Sequence, residues 1–385
     1  MRRLLALLFL LALAGCGDGG APAPTPEAGG GFAAIQKEAQ GQTVRFWMYG
    51  GDVRVNAFVD DIVTPAVARR GVKLRRVPVA DTADAVKRVV AERRAGKATG
   101  GGVDLIWING ENFASGKQAG LWLKDWAGTL PNAQHYVNFS DPTIVNDFQI
   151  QVEGQESPWQ RSAFIYAYDA AKVAHPPRTF DALLAYAKAH PGRFTYPAPP
   201  DFTGSAFVRQ VIADKGEGAG FAYLEQLKPL MYRGGRSLPK SETELDGLFG
   251  DGQVDFAMAY DSNFVNAYVR KGVFPKTARP FVIGQGALLN TSYVTIPANA
   301  THVAGAKVIA DVLLDPAVQA RMTDPANLGY PTVLDVRRLG ARRALFERRV
   351  TPTPYVLRDL GKPMQEFAAA RVGILEKRWA SEVLR

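Results

Sequence analysis

VRFWMYGGD, residues 44–52, is an apolar and aromatic run that ends in two glycines and an aspartate. This composition predicts a buried strand closed by a turn. Apolar residues follow at helical spacing over residues 55–67, and a second strand is predicted over residues 72–79. A helix opening at Asp81 and a third strand over residues 103–108 complete the unit. The alternation of strand and helix predicts the beginning of a mainly parallel sheet.

The alternation resumes after a Pro-, Gly- and polar-rich stretch between residues 130 and 158. The second unit is predicted to hold strands over residues 163–168, 193–196 and 254–260, helices over residues 180–189 and from Ser205, and a capping box formed by Ser241 and Glu244. From His302 the chain is predicted to be mostly helical. Because 385 residues exceed what one core usually covers, we predict an α/β protein with two lobes, each a mostly parallel sheet flanked by helices.

The amino terminus has the features of a lipoprotein signal peptide. Arg2 and Arg3 precede an apolar run over residues 4–14, and Leu13-Ala14-Gly15-Cys16 forms a lipobox. The run is shorter than the about 20 apolar residues that cross a bilayer, which disfavours a permanent transmembrane anchor. We predict a signal peptide over residues 1–15, lipidation of Cys16, and a Gly- and Pro-rich tether that extends to residue 40. The protein is then periplasmic or at the cell surface, anchored by lipid to an envelope membrane.

Composition limits the classes of function. Cys16 is the only cysteine, so the fold is held by its core without disulfides. The net charge of +9 is spread along the chain, and the predicted secretion argues against nucleic acid as a partner. A diffuse basic surface next to anionic lipid is the simpler reading of the charge.

Loops at the carboxyl ends of the predicted strands carry the candidate ligand contacts, because ligands of open parallel sheets bind there. They hold amides, hydroxyls, carboxylates and aromatic rings, which bind a polar or cationic solute without transforming it. The candidates are Trp47, Tyr49, Gly50, Gly51, Asp52, Asn109, Glu111 and Asn112 in the first unit, and Asp201, Thr203, Gly204, Ser205, Tyr260, Asp261 and Ser262 in the second.

Each candidate also has a structural alternative. Asp201, Ser205 and Asp261 stand where helix N-caps belong, and plain capping is as good a reading as ligand contact. The two glycines of residues 50–51 suit a turn equally well. Trp47 fits the core better than a ligand site.

Catalytic motifs are missing from the sequence. The four histidines stand singly, with no HExxH motif and no His or Cys cluster at metal-ligand spacing. There is no GxSxG elbow and no phosphate-binding GxxxxGK[ST] loop. We therefore expect no enzyme activity, no cofactor and no metal.

Four segments together resemble the type II periplasmic binding proteins, the solute-binding components of ABC transporters. They are RFWMYGGD (45–52), VDLIWINGENFASGKQAGL (103–121), PRTFDALLAYAKAHPGRFTYPAPPDFTGSAF (177–207) and AGAKVIADVLLDPAVQ (304–319). Within the family, the candidate loops are similar to a thiamine-type branch.

This resemblance implies a ligand cleft between two lobes, crossed by linking strands over residues 163–168 and 288–296. It implies a first lobe over residues 41–160, a second over residues 161–296 and a return to the first lobe over residues 297–385. It also implies a monomer that closes on a small solute and delivers it to ABC permease subunits. Two alternatives remain open: a solute sensor that feeds a signalling receptor, and an envelope enzyme on the same scaffold.

Overall fold

The computed structural model describes residues 31–347, 353–357, 359–362 and 364–385. The predicted signal peptide and Cys16 lie outside these residues. Helix α1 (Gly31–Glu38) is the first described element, so the prediction of a tether is wrong for residues 31–38. Phe32 and Ile35, one helical turn apart, pack on the core of the first lobe and order this segment. None of the described helices is long and apolar enough to cross a membrane.

Eleven described strands form three sheets. They are β1 (Thr43–Tyr49), β2 (Lys73–Val79), β3 (Leu105–Ile108), β4 (Asn146–Asp147), β5 (Ile150–Gln151), β6 (Glu156–Ala163), β7 (Ile165–Asp169), β8 (Phe256–Ala259), β9 (Ala278–Phe281), β10 (Leu288–Thr295) and β11 (Met364–Gln365).

The remaining α-helices surround these sheets. They are α2 (Val53–Phe58), α3 (Thr64–Ala68), α4 (Thr82–Arg94), α5 (Gly110–Gln118), α6 (Pro131–Tyr136), α7 (Pro142–Val145), α8 (Phe180–Ala189), α9 (Phe202–Lys215), α10 (Glu217–Leu227), α11 (Glu242–Gly250), α12 (Phe264–Arg270), α13 (Val303–Leu313), α14 (Pro316–Thr323) and α15 (Ala369–Glu382). A π-helical segment, Val59–Val63, joins α2 to α3.

The largest sheet has the order β11-β10-β3-β1-β2, with β6 also paired to β10. Strand β1 is parallel to both β2 and β3, as the βαβαβ pattern predicts. Val44, Phe46 and Met48 alternate along β1 and are fully buried in one face of the sheet, which explains the apolar run that began the sequence analysis. Strand β10 is antiparallel to β3 and β6, so the sheet is mixed.

The second lobe has the three-stranded sheet β8-β7-β9, in which both pairings are antiparallel. The prediction of a mostly parallel sheet in each lobe is therefore wrong for this lobe. Residues 193–196, predicted as a strand, are mostly buried but join no ladder. A short connection between two consecutive strands restricts their relative direction. Several helices separate β7 from β8, so the relative direction of these two strands depends on tertiary packing.

Two neighbouring segments connect the lobes. The segment predicted as one linking strand is two, because β6 ends at Ala163 in the first sheet and β7 begins at Ile165 in the second. The return begins at Leu288, and Ala163 pairs with Leu289 in the β6–β10 ladder. The two crossings therefore lie side by side, as a hinge requires.

The predicted return to the first lobe over residues 297–385 is wrong for the last helix, α15. Helices α13 and α14 do pack in the core of the first lobe. In α15, however, Leu375 and Trp379 are buried in the core of the second lobe, and the Trp379 indole N–H donates to the Tyr196 hydroxyl at 2.9 Å. An apolar stripe along a helix predicts that this face of the helix is buried, but it does not indicate which lobe the face packs against.

Candidate ligand cleft

The loop after β1 folds tightly onto the start of α2. Asp52 caps this helix, and its Oδ1 accepts the backbone N–H groups of Arg54 at 2.9 Å and Val55 at 3.0 Å. The Tyr49 phenol lies over Gly51, where a Cβ atom would stand 2.1 Å from the phenol oxygen. Tyr49 remains 44% exposed, so its ring can meet a solute.

The loop after β3 begins α5 without a side-chain cap. Asn109 occupies the N-cap position but makes no capping hydrogen bond. The Gly110 N–H instead donates to Asp147 Oδ2 at 2.7 Å, with Gly110 at a φ of 59°. Within the described part of the chain, neither Asn109 nor Asn112 uses its side-chain amide in a hydrogen bond, which leaves both amides available to a ligand.

In the second lobe, helix α9 begins at Phe202 rather than at the predicted Ser205. Asp201 is its N-cap and accepts the Gly204 N–H at 2.9 Å, so the capping alternative is correct for Asp201. Gly204 has no room for a side chain, since a Cβ would lie 1.9 Å from the Pro197 carbonyl oxygen. The Thr203 hydroxyl donates to Glu242 at the start of α11.

Further along α9, a buried ion pair forms the floor of the cleft. Arg209 Nε donates to Glu366 Oε2 at 2.7 Å and Nη2 to Oε1 at 3.0 Å, and the Tyr260 hydroxyl bonds the same carboxylate. Arg209 Nη1 also donates to Ser205 Oγ at 2.6 Å, and Ser205 Oγ donates to Glu376 at 2.5 Å. Tyr260 and Ser205 are thus held by protein groups.

The two lobes touch across the cleft through an ion pair between Arg54 and Asp261. The side chains of these residues are only 15% and 12% exposed. Tyr330 supports the pair, because its ring lies under the Arg54 guanidinium at 5.9 Å and its hydroxyl donates to Asp52 Oδ2 at 3.4 Å. Ser262 Oγ donates to the Gly329 carbonyl at 3.2 Å nearby. The two lobes are therefore in direct contact at this end of the cleft.

Aromatic rings from both lobes meet over Arg209. The Phe202 ring lies 5.0 Å from that of Tyr260 and 6.5 Å from that of Phe148, which belongs to the first lobe. The Arg209 guanidinium lies 5.7 Å from the rings of both Phe148 and Phe202. Phe202 stays 39% exposed and presents an apolar surface to the cleft.

Carboxylates crowd one end of the cleft. Burial, together with the negative charges of Asp201 and Asp52, raises the pKa of Glu242 to about 7, against the lowering effect of the Thr203 hydrogen bond. Burial raises the pKa of Asp201, against the hydrogen bond from the Gly204 N–H. Burial also raises the pKa of Tyr49, and the negative charges of Glu242 and Asp201 add to it. These mutual effects show that acids from both lobes face one another.

A second acidic group lies near α15. More than a third of Glu111 is exposed, yet protein atoms around its carboxyl raise its pKa. Glu376 and Asp81 raise the Glu111 pKa further, and Arg209 lowers it. Glu111 from the first lobe therefore faces Glu376 from the last helix.

The structure brings most predicted residues together at this interface and separates one. Trp47 packs against the core cluster that includes Val86 and Val89 of α4, and among the described residues its buried indole N–H has no hydrogen-bond partner. This placement agrees with the core alternative for Trp47. Glycines 50 and 204 are required by packing, since a Cβ on Gly50 would lie 2.8 Å from Cβ of Pro78.

Several cleft residues were not predicted from the sequence: Arg54, Phe148, Arg209, Glu242, Asp246, Tyr330, Glu366 and Glu376. Arg54 and Glu242 could have been predicted from the sequence, because Arg54 closely follows a candidate loop and Glu242 directly follows the predicted capping residue Ser241. The last two residues come from a segment that carries no motif. Only the course of the chain brings them to the cleft.

A cavity of about 570 Å³ lies behind the aromatic rings, next to the lobe crossing. Phe148 and Glu366 line it together with Leu289 and Thr291 of β10. Among the residues that the structure describes, no group of His, Cys, Asp or Glu side chains has the arrangement of a metal site.

Comparison with known proteins gives consistent matches over most of the chain. A family model described as bacterial extracellular solute-binding protein matches residues 61–341. The protein named YnjB of Escherichia coli (strain K12) is 38% identical over an alignment of 365 residues that covers 90% of this chain and 92% of YnjB.

Solved structures share the fold at low identity. An extracellular solute-binding protein from Bordetella parapertussis superposes with a TM-score of 0.65 at 14% identity, covering 89% of this chain and 98% of its own. A periplasmic thiamin binding protein superposes with a TM-score of 0.61 at 16% identity, covering 89% and 96%. These likenesses confirm the predicted two-lobed fold with a cleft between α/β lobes.

Proposed function

We propose, on the premise that this chain belongs to the family of bacterial extracellular solute-binding proteins, that it captures a small organic cation and delivers it to the permease of an ABC importer. The solute binds between the loop after β1 and the start of α5 on one side, and the start of α9 and residues 260–262 on the other. The solute is released unchanged. Lipid attachment at Cys16 and a monomeric state belong to the same proposal.

The excess of carboxylates over cations in the cleft carries this proposal. Both arginines there are already paired, Arg54 with Asp261 and Arg209 with Glu366. Among the residues that the structure describes, the other carboxylates of the cleft have no cationic side chain as an ion-pair partner: Asp52, Glu111, Asp201, Glu242, Asp246 and Glu376. Because like charges held together raise the free energy of the empty site, a bound cation relieves the repulsion.

Exposed rings add a preference for a planar solute. Tyr49 and Phe202 keep substantial exposed surface at the cleft. Aromatic faces attract cations and stack on planar rings. A flat heteroaromatic cation of the thiamine type combines both properties, and one structural neighbour is named for thiamin.

A solute panel tests the proposal. We expect thiamine or another organic cation to raise the melting temperature of the purified protein, whereas oligosaccharides and anionic sugars leave it unchanged. At 100 times the dissociation constant, binding stabilises the folded state by about 2.7 kcal/mol. Differential scanning fluorimetry with thiamine, its phosphates, polyamines, ferric iron and oligosaccharides measures this shift. Stabilisation by neutral or anionic solutes alone would contradict the proposal, and mass spectrometry of the recovered ligand checks that it is unchanged.

The ion pair across the cleft predicts a second result. Asp261→Asn keeps the size of the side chain but removes its charge, so the contact between the lobes loses its ion pair with Arg54. We expect the dissociation constant of the best solute of the panel to rise about tenfold, which corresponds to about 1.4 kcal/mol. Asp60→Asn is the control, because Asp60 pairs with Arg76 at a distance of 2.7 Å outside the cleft. Equal affinities of the two variants, measured by calorimetry, would show that the pair does not assist closure.

A further inference from the structure

An exposed, arginine-rich surface lies on the first lobe after α14. Residues 336–346 contain four arginines and no acid. They fold as two short 3-10 helices, Val336–Arg338 and Gly340–Leu345, and Leu339 and Phe346 fix the segment by packing on the core of the first lobe. The exposed residues of this segment and one neighbour form a surface that we call the arginine face: Phe139, Val336, Arg337, Arg338, Arg342, Arg343 and Leu345.

Nearby acids neutralise the arginine face only in part. Two acids lie within ion-pair distance of its arginines: Asp335, beside Arg337 and Arg338, and Glu347, beside Arg343. The Arg342 guanidinium has no ion-pair partner among the described residues and lies 5.6 Å from the centre of the Tyr136 ring. Arg321 of α14, which contacts the second 3-10 helix, is also exposed. Four arginines against two acids leave the arginine face positively charged.

Apolar side chains stand among these arginines. Nine large hydrophobic side chains are exposed among the described residues, and Val336, Leu345 and Phe139 are three of them, at 44%, 37% and 40%. Phe139 adjoins the segment because Arg338 Nη1 donates to the Val137 carbonyl oxygen at 3.0 Å. Basic and apolar side chains on one surface are the combination that binds the boundary between lipid headgroups and acyl chains.

The arginine face belongs to the same helical layer as α1, the first described helix. In this layer α13 contacts both α1 and α6. The Gly305 N–H, near the start of α13, donates at 2.8 Å to the side chain of Gln42, which follows α1. The Asn132 N–H of α6 donates at 2.8 Å to Asp311 Oδ1 of α13. Phe139 follows the end of α6, so α13 connects the arginine face to the helix at which the described chain begins.

The predicted lipid anchor holds this layer near a membrane. Cys16 precedes Gly31, the first residue of α1, by 15 residues. A chain of this length spans at most about 50 Å even when it is fully extended. A membrane surface with anionic lipids attracts basic groups that come within about a Debye length, roughly 8 Å at physiological salt. The anchor therefore keeps the arginine face within reach of the lipid headgroups.

We propose that the arginine face docks on the anionic phosphate headgroups of the membrane that holds the anchor. Arginine binds phosphate through paired N–H bonds, and the exposed apolar side chains of the face enter the headgroup region. Each arginine near an anionic surface strengthens binding about fivefold. This inference goes beyond solute capture and rests on the lipid anchoring that belongs to the proposed function. Docking of this kind orients the first lobe at the membrane.

Vesicle flotation of the mature chain with Cys16→Ser tests the docking, because this chain carries no lipid. One set of vesicles contains phosphatidylglycerol and phosphatidylcholine in a ratio of about 1:2, and the other contains phosphatidylcholine alone. We expect the chain to float with the first set and not with the second. Raising the salt from about 0.1 M to about 0.5 M weakens the binding at least tenfold, because salt screens the charges.

A pair of adjacent arginines provides a matched control. Arg342→Gln with Arg343→Gln weakens binding to the anionic vesicles at least about tenfold. Arg93→Gln with Arg94→Gln leaves it unchanged, because these exposed residues end α4, which packs on the opposite face of the sheet. That face buries Trp47, whereas the layer of the arginine face covers Phe46, the preceding residue of β1. Equal melting temperatures confirm that both double variants are folded.

The outcomes separate docking from the proposed function. Wild-type flotation of the Arg342 and Arg343 double variant, or equal binding to both sets of vesicles, overturns the docking while solute capture stands. Palmitate labelling of Cys16 in cells tests the anchoring separately. Capture of the permease by the wild type but not by this double variant, with vesicle binding unaffected, assigns the face to a protein partner and also overturns the docking.

Discussion

Replacing Arg209 with methionine lowers the free energy of unfolding by about 3–5 kcal/mol, the cost of leaving a buried partner charge uncompensated. Arg209 is 1% exposed, and its two short bonds to Glu366 join α9 to the chain near the last helix. Without the guanidinium, the Glu366 carboxylate is left in a site where only 4% of its side chain is exposed. Urea unfolding followed by tryptophan fluorescence and near-ultraviolet circular dichroism measures the loss.

A double variant separates the ion pair from simple packing. Arg209→Met combined with Glu366→Leu removes both charges and retains apolar volume, so we expect stability closer to the wild type than to the single variant. If the double variant is as unstable as the sum of the two single ones, the pair does not act as a unit. The two lobes can unfold separately, so coincidence of the two probes is checked first.

Replacing Trp379 with alanine is expected to cost about 3–5 kcal/mol, the usual range for removing a buried tryptophan. Trp379 is 1% exposed, packs on the Tyr196 ring with centroids 6.4 Å apart, and anchors the last helix in the second lobe. Ile374→Ala is the matched control, because Ile374 lies on the same helix and is 52% exposed. We expect that control to change stability by less than about 0.5 kcal/mol. A small effect of Trp379→Ala would contradict the assignment of α15 to the second lobe.

The first lobe was largely predictable because its elements follow one another at short range. The alternation from residue 44 to residue 108 gave β1, β2, β3 and their parallel pairing, each recognisable from local periodicity. The second lobe was less predictable. A period of two along a strand indicates burial but carries no information on direction when many residues separate the partners.

The candidate site divides in the same way. Local composition marked the loops that carry Tyr49, Asn109, Asp201 and Tyr260, because turns with amides, hydroxyls and carboxylates stand out between apolar runs. Whether such a residue caps a helix or faces a ligand depends on its hydrogen bonds. The side chains of Asp52 and Asp201 accept backbone N–H groups and cap their helices. Capping and cleft exposure coexist at both positions.

Local periodicity and composition were enough to predict the α/β class, the start of the parallel sheet and the polar loops at the strand ends, since each is a property of one short segment. The three-dimensional packing was needed to show that Arg54 pairs with Asp261 and that Glu366 and Glu376 reach the cleft from the last part of the chain. These contacts join positions far apart in sequence or depend on the space left between helices. Their existence is fixed by the packing of the lobes, for which a single segment holds no signal.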